Sequence, residues 1–338
     1  MTLRVAIVGM GGIGNNHGRC YTNHPDAEVV AVCDIIQERS DKAAETFGCQ
    51  GFYSVQSLLE SGVEFDAASV TTAGAENGGD HYAPTMQLLA AGYPVLGEKP
   101  ISNSVPEAEE MVALAREKNL RYGINLNHRF TPAAALAKEW MLRGRLGEVN
   151  MIDMTMWINN PNETSPHFHM RALHPHSLDV MRYFAQSDVT QVHAIFKKGK
   201  GRKIWSNVQV NLLYENGIIG HLRGSYDGNW GHTSMGGGSY GLETLDVFGS
   251  DGRVYLRDAC EELIYYPRFE GTTERHENYG GMSHFGETFQ TRINHWVDQN
   301  LAGVAPDKID ASGADALHVQ RIIEAAIESW DTRQVVSL

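Results

Sequence analysis

Six residues, Gly9-Met10-Gly11-Gly12-Ile13-Gly14, constrain the fold of this 338-residue chain more than any others. They close the apolar run LRVAIVG and open a polar stretch of helical potential, after which a second apolar run, EVVAVCD, ends on Asp34. Strand, glycine turn, helix and a strand ending in an acid form the context in which GxGxxG binds a dinucleotide. Gly9 permits the tight turn, Gly11 lets the backbone approach a pyrophosphate, and Gly14 allows close helix packing. Gly12 and Ile13 complete the turn, whose N–H groups at the helix start face the phosphates. Asp34 accepts hydrogen bonds from the ribose hydroxyls and repels a 2′-phosphate. Ile35 and Ile36 follow it rather than arginine, so NAD is expected in preference to NADP; Arg39, one turn further, is the residue that would relax the preference.

The alternation continues through AASVTT, HYAPTMQLLAAG, YPVLG, SVPEAEEMVALAREKN and LRYGIN. Buried strands alternating with helices predict a doubly wound α/β Rossmann domain with a parallel sheet over residues 1–124. The texture then changes. EVNMIDMTMWI alternates, WSNVQVNLLYENGIIGHLRGSY carries an Asn216-Gly217 hairpin turn, and ETLDVFGSDGRVYLRD turns again at Ser250 to Gly252. Residues 125–338 are therefore expected to form an α+β domain with a large, mostly antiparallel open sheet, closed by helices near 284–300 and 313–330. The last helix either stays with that domain or packs back on the first.

The formal net charge of -13 argues against nucleic acid or an anionic membrane as partner. The one short basic cluster, KKGKGRK at 197–203, is broken by glycine and reads as a solvated loop. No leader pattern and no run of about 18 apolar residues is present, which predicts a cytoplasmic protein. Cys20, Cys33, Cys49 and Cys260 lack CxxC spacing and suggest neither disulfides nor a zinc site.

With Glu98-Lys99-Pro100 added to the glycine motif, the chain resembles the Gfo/Idh/MocA family of sugar and polyol dehydrogenases. NHRF at 127–130, His176 and Asp179 in an HxxD arrangement, and the final helical segment extend the resemblance over essentially the whole chain. It implies that Lys99 lies beside the nicotinamide and the substrate hydroxyl, and that His176 is the catalytic histidine. It also implies cofactor contacts from Thr71, Thr72, His81 and Glu98, a positioning role for Asn127 and Arg129, and assembly as a homodimer or homotetramer. The family often carries an aspartate four residues before the histidine; here Ala172 stands there and His174 replaces a glycine. The segment TTAGAENGGDH, 71–81, is longer than the family's usual Thr-Pro to histidine run.

Oxidising a carbinol requires a base for the hydroxyl proton and a group that stabilises the alkoxide. Lys99 and His176 suit those tasks. HPHSLDVMRYF reads as a helix starting near His174 with Pro175 at its first position, which puts His176, Asp179 and Tyr183 on one face and Leu178, Met181 and Ala185 on the core side. The helix N-terminus would then keep His176 an uncharged acceptor, while Asp179 either orients its ring or favours its protonated form. His167, His169, His174 and His176 match no recognised zinc spacing, so no metal is expected. For His169 and His174, two roles stay open: lining the substrate pocket or bonding nearby backbone. Trp157 with Asn159 and Asn160, and Trp230 among Tyr226, Asp227, Asn229 and His232, offer aromatic and polar groups to a polyol, with a plain loop or assembly contact as the alternative.

The expected function is an NAD-dependent dehydrogenase of a sugar, inositol or related polyol. Two alternatives stand beside it: a redox-neutral NAD-using glycosidase or epimerase with transient oxidation, and a noncatalytic NAD-linked sensor.

Overall fold

The structure is a computed structural model that describes residues 1–102, 104–228, 241–257, 262–277 and 287–338. The chain divides into two compact units, Met1–Leu126 with Phe289–Gln320 and Asn127–Thr288 with Arg321–Leu338.

In the first unit, six parallel strands are β1 (Leu3–Val8), β2 (Ala27–Cys33), β3 (Gln50–Phe52), β4 (Ala67–Val70), β5 (Val95–Gly97) and β6 (Tyr122–Ile124). Their order, β3-β2-β1-β4-β5-β6, reverses direction between β1 and β4, and such a switch point opens a ligand crevice at the strands' carboxyl ends. The helices α1 (Gly12–Thr22), α2 (Gln37–Phe47), α3 (Val55–Glu60), α4 (Tyr82–Ala90) and α5 (Val105–Glu117) alternate with these strands. Because helices cover a parallel sheet on both faces, β4 is buried at every position and β1 at all but Arg4.

The second unit begins with a turn at Asn127–Phe130 and α6 (Pro132–Leu142). Thr131 caps α6 by accepting from Ala134 N at 3.2 Å, and Pro132 sits at the helix start, where its missing N–H costs nothing. Then come β7 (Val149–Ile158), α7 (Phe168–Ala185), β8 (Val189–Lys197), β9 (Asn207–Tyr214), β10 (Ile219–Ser225), β11 (Gly241–Gly249), β12 (Gly252–Arg257), β13 (Glu262–Pro267) and β14 (Glu274–Glu277). Of the two helices that follow in the chain, α8 (Glu287–Leu301) from Phe289 onward and α9 (Gly313–Thr332) as far as Gln320 belong to the first unit, whereas the rest of α9 and β15 (Val336–Ser337) belong to the second. Nine strands form one sheet in the order β14-β13-β12-β11-β7-β10-β9-β8-β15, antiparallel except where β10 runs beside β7. Strand β9 alternates strictly between buried and exposed side chains, as a sheet with one covered face requires. Gly217, at φ 86°, makes the hairpin turn between β9 and β10.

One expectation is corrected here. Helix α7 starts at Phe168, not near His174, and Pro175 lies inside it. An internal proline costs about 3 kcal/mol or more. Burial of Phe168, His169, Met170 and Leu173 in the added turns offsets that cost. His176 therefore stands in the third turn of a long helix, and the expected field of a helix N-terminus does not act on it.

Candidate active site

In the first unit, Gly9 adopts φ +97°, and a Cβ there would lie 2.5 Å from Thr72 N. A Cβ on Gly14 would lie 1.9 Å from Gly9 O, so α1 can approach the turn only with glycine at that position. At Gly11 and Gly12 a Cβ would have no neighbour within 4 Å. This leaves open space over the start of α1, which no side chain caps, so its first N–H groups are available to phosphate oxygens. Asp34 is buried and braced, its two oxygens accepting from Met10 N at 2.6 Å and Ile36 N at 2.8 Å. The brace sets the carboxylate beside the glycine turn, where ribose hydroxyls would reach it. These residues fit a bound NAD.

The threonines and His81 serve the protein's own backbone. Thr71 donates to Gly9 O at 2.7 Å and Thr72 to Asp80 O at 2.6 Å. His81 places Nδ1 2.7 Å from Pro100 O and Nε2 2.9 Å from Thr72 O, which ties the 72–80 segment to the residue after Lys99. Glu98, Lys99 and Pro100 follow β5 at its carboxyl end. Burial lowers the Lys99 ammonium from the ordinary lysine value, and the Glu98 carboxylate opposes that fall. Glu98 accepts from His17, Asn125 and the Lys99 backbone.

In the second unit, one face of α7 meets the 127–130 turn. The His176 ring lies tilted over His128, with ring centroids 4.4 Å apart, and His128 Nδ1 is 2.6 Å from Glu243 Oε1. All three side chains are buried. Arg129 forks onto Asp179, with Nε 2.7 Å from Oδ2, and its guanidinium lies 5.2 Å from the Tyr183 ring centre. Asp179 thus holds Arg129 as well as sharing a helix face with His176. Ala172, half-buried and one turn before His176 on that face, occupies the place of the family's aspartate.

The structure takes His169 and His174 away from a pocket role. Both are fully buried, with their Nε2 atoms 3.1 Å apart. His174 Nδ1 meets Ser177 Oγ at 3.1 Å, and the His169 ring packs 4.3 Å from that of Tyr226. A Cβ on Gly224 would come within 2.1 Å of His174 Nε2, so His174 fills the space against β10 and does not replace the aspartate missing at Ala172. Burial holds the His174 imidazole down to about 3, and burial, with His174 beside it, holds His169 well below the ordinary value. Trp157 is also displaced from the expected arrangement. Successive strand residues point to opposite faces, and since Met156 meets Ser177 of α7, Trp157 faces the other side of the sheet. Asn127 Nδ2 bonds Thr288 Oγ1. Trp230, with Asn229 and His232, lies outside the described residues. Among the described residues no group of three or more His, Cys, Asp or Glu side chains could hold a metal ion, and no helix is long and apolar enough to cross a membrane.

Three residues escaped the sequence reading: His17, Asn125 and Glu243. His17 follows Gly14 by three positions, a spacing that could have drawn notice; Glu243 is 115 residues from its partner His128 and carries no local signal.

A dinucleotide turn, a braced ribose acid and a half-buried lysine at the sheet's carboxyl end define an NAD-dependent oxidoreductase. Residues 3–126 match the oxidoreductase family with an NAD-binding Rossmann fold, and residues 134–255 match the GFO/IDH/MocA C-terminal domain. The chain belongs to the Gfo/Idh/MocA oxidoreductase family. It is 22% identical over 350 residues to an inositol 2-dehydrogenase of Rhizobium meliloti, covering 100% of both chains. Among solved structures, a levoglucosan dehydrogenase in complex with NADH superposes with TM-score 0.86 at 19% identity, covering 100% of this chain and 99% of that one. An oxidoreductase from Agrobacterium radiobacter, in complex with NAD+, L-tartaric acid and magnesium, gives 0.85 at 20% identity, covering 100% and 98%.

Proposed function

We propose that the protein oxidises a hydroxyl of a sugar, an inositol or a related polyol, with Lys99 and His176 handling the hydroxyl proton and the alkoxide. The observation that carries this reading is the lysine itself: an ammonium of lowered basicity at the carboxyl end of β5, in the unit that binds NAD. The relative named inositol 2-dehydrogenase supports the substrate class.

NAD, when bound, supplies the hydride acceptor. Lys99 donates a hydrogen bond to the substrate oxygen and stabilises negative charge as its proton leaves. Its lowered basicity makes the ammonium a stronger hydrogen-bond donor to the developing alkoxide, and a readier proton source when the reaction runs in reverse. His176 takes the hydroxyl proton. The cation that forms there is favoured by the electron-rich His128 ring, whose Nδ1–H is polarised by Glu243. Arg129 and Asp179 neutralise each other beside this pair and fix the face of α7 that carries it. Asp34 selects NAD over NADP because its carboxylate repels a 2′-phosphate.

The uncovered face of the nine-stranded sheet exposes Ile195, Leu213 and Ile219. We read it as the surface through which two or four copies assemble; a monomer by light scattering would refute this. For the reaction, the purified protein is incubated with NAD and a panel of inositols, sugars and simple alcohols. NADH absorbance is expected with polyols and absent with simple alcohols. Absence of NADH with every polyol would remove the proposal.

A further inference from the structure

A buried hydrogen-bond chain runs from α1 to the lysine motif. The Tyr21 hydroxyl is 2.7 Å from Ser69 Oγ, Ser69 Oγ is 3.4 Å from His17 Nδ1, and His17 Nε2 is 3.0 Å from Glu98 Oε1. Asn125 Nδ2 donates to the same carboxylate oxygen at 2.5 Å, and Lys99 N–H reaches Oε2 at 3.3 Å. Tyr21, Ser69 and His17 have no exposed surface, and Glu98 has 7%. A carboxylate can only accept, so His17 Nε2–H donates to Glu98; with the ring uncharged, Nδ1 then accepts from Ser69, and Ser69 accepts from Tyr21. In that direction each hydroxyl proton and both ring nitrogens are used.

We propose that His17 is a positioning residue for Lys99: its hydrogen bond keeps the Glu98 carboxylate charged and fixed, and that charge holds the Lys99 ammonium in its half-buried place. The proposal rests on the reading of Lys99 as the proton-handling group. Opposed effects meet at both residues. Burial pushes the Glu98 carboxyl up, but the bond from His17, the charges nearby and the bond from Asn125 outweigh it and leave the carboxyl below its ordinary value. Burial pushes Lys99 down, and Glu98 resists. Losing the His17 donor therefore lets Glu98 drift toward the protonated acid, and Lys99 then loses its countercharge.

Among the described residues, the titratable groups facing the chain besides its own members are Cys20 and, from α8, Arg292 at Tyr21, and Lys99 at Glu98. From that helix Phe289 packs edge-on to the His17 ring at 6.1 Å. Because His17 sits on the helix whose start receives the phosphates, cofactor docking and the lysine's charge are tied to one rigid element.

The test is competitive acetylation of the full-length chain across pH, with Lys99 followed by mass spectrometry, for wild type, Glu98→Gln, His17→Leu and His17→Gln. An opposite charge a few ångströms away moves a titration by about 1–3 units. The Lys99 midpoint is expected to fall by about one unit or more in Glu98→Gln and His17→Leu. In His17→Gln, whose amide still donates, it returns close to wild type. Glu98→Gln nearly preserves shape, so it carries the test if His17→Leu does not fold. An unmoved midpoint in Glu98→Gln that still binds NAD overturns the proposal. A shifted midpoint with unchanged polyol turnover upholds the coupling and instead removes Lys99 from the chemistry.

Discussion

His17 in the first unit and His174 in the second are both fully buried, and each directs Nδ1 at a serine hydroxyl. They differ at Nε2, which meets the Glu98 carboxylate in one case and the His169 ring in the other. A carboxylate fixes Nε2–H as the donor and brings charge to the neighbouring lysine. A second imidazole brings none: the pair shares a single proton between its facing nitrogens, and burial keeps both rings uncharged. On the proposed reading of Lys99, one arrangement serves chemistry, whereas the other fills the space between α7 and the sheet. The environment, rather than the residue type, separates a histidine that acts from one that packs.

The sharpest way to break this contrast is at the charged end. Lys99→Met should lower turnover by about a thousandfold or more, since proton handling and alkoxide stabilisation each contribute on the order of 10²–10³. NAD binding, measured by fluorescence titration, should survive. Retained turnover would dissolve the distinction between the two networks.

The uncharged end is tested by acid. In the unfolded chain His174 titrates near 6.5, but in the folded chain near 3. Within that window the unfolded state binds more protons, so stability is present above about 6.5 and is lost as pH falls toward 3. Urea unfolding at stepped pH should show this loss in wild type and a flatter curve in His174→Gln. Parallel curves would mean that the pair already carries a proton in the fold. Gly224→Ala should cost about 1–3 kcal/mol by pushing a methyl group into His174. A melting temperature equal to wild type would place that ring elsewhere. Glu243→Gln is the mildest probe. It should leave KM near wild type and lower kcat by roughly tenfold, about 1.4 kcal/mol, as His128 loses its anionic partner; an unchanged kcat would separate Glu243 from the chemistry.

The parts of this molecule that were legible in its sequence are those whose physics is local. The glycine spacing, Asp34 at a strand end and the Asn216-Gly217 turn each restrict the backbone within a few residues. The short strand β3, three residues without alternation, carries no such signal. The start of α7 was misread because Pro175 is a strong local mark for a first turn, and only tertiary burial of Phe168 to Leu173 overrides it. The four histidines of 167–176 look alike in the sequence. They separate only when distant residues are placed: Gly224 and Tyr226 enclose His174 and His169, whereas His128, held by Glu243, meets His176. His17 stayed hidden for the same reason, its partner Glu98 being 81 residues away.

The most direct test of the central claim follows the hydrogen. The best polyol of the substrate panel, deuterated on its carbons, is turned over with NAD and the dinucleotide analysed by mass spectrometry and NMR. NADH bearing a single deuterium at nicotinamide C4 is expected, matched by one new carbonyl in the product. Product formed with no deuterium in the dinucleotide would contradict it.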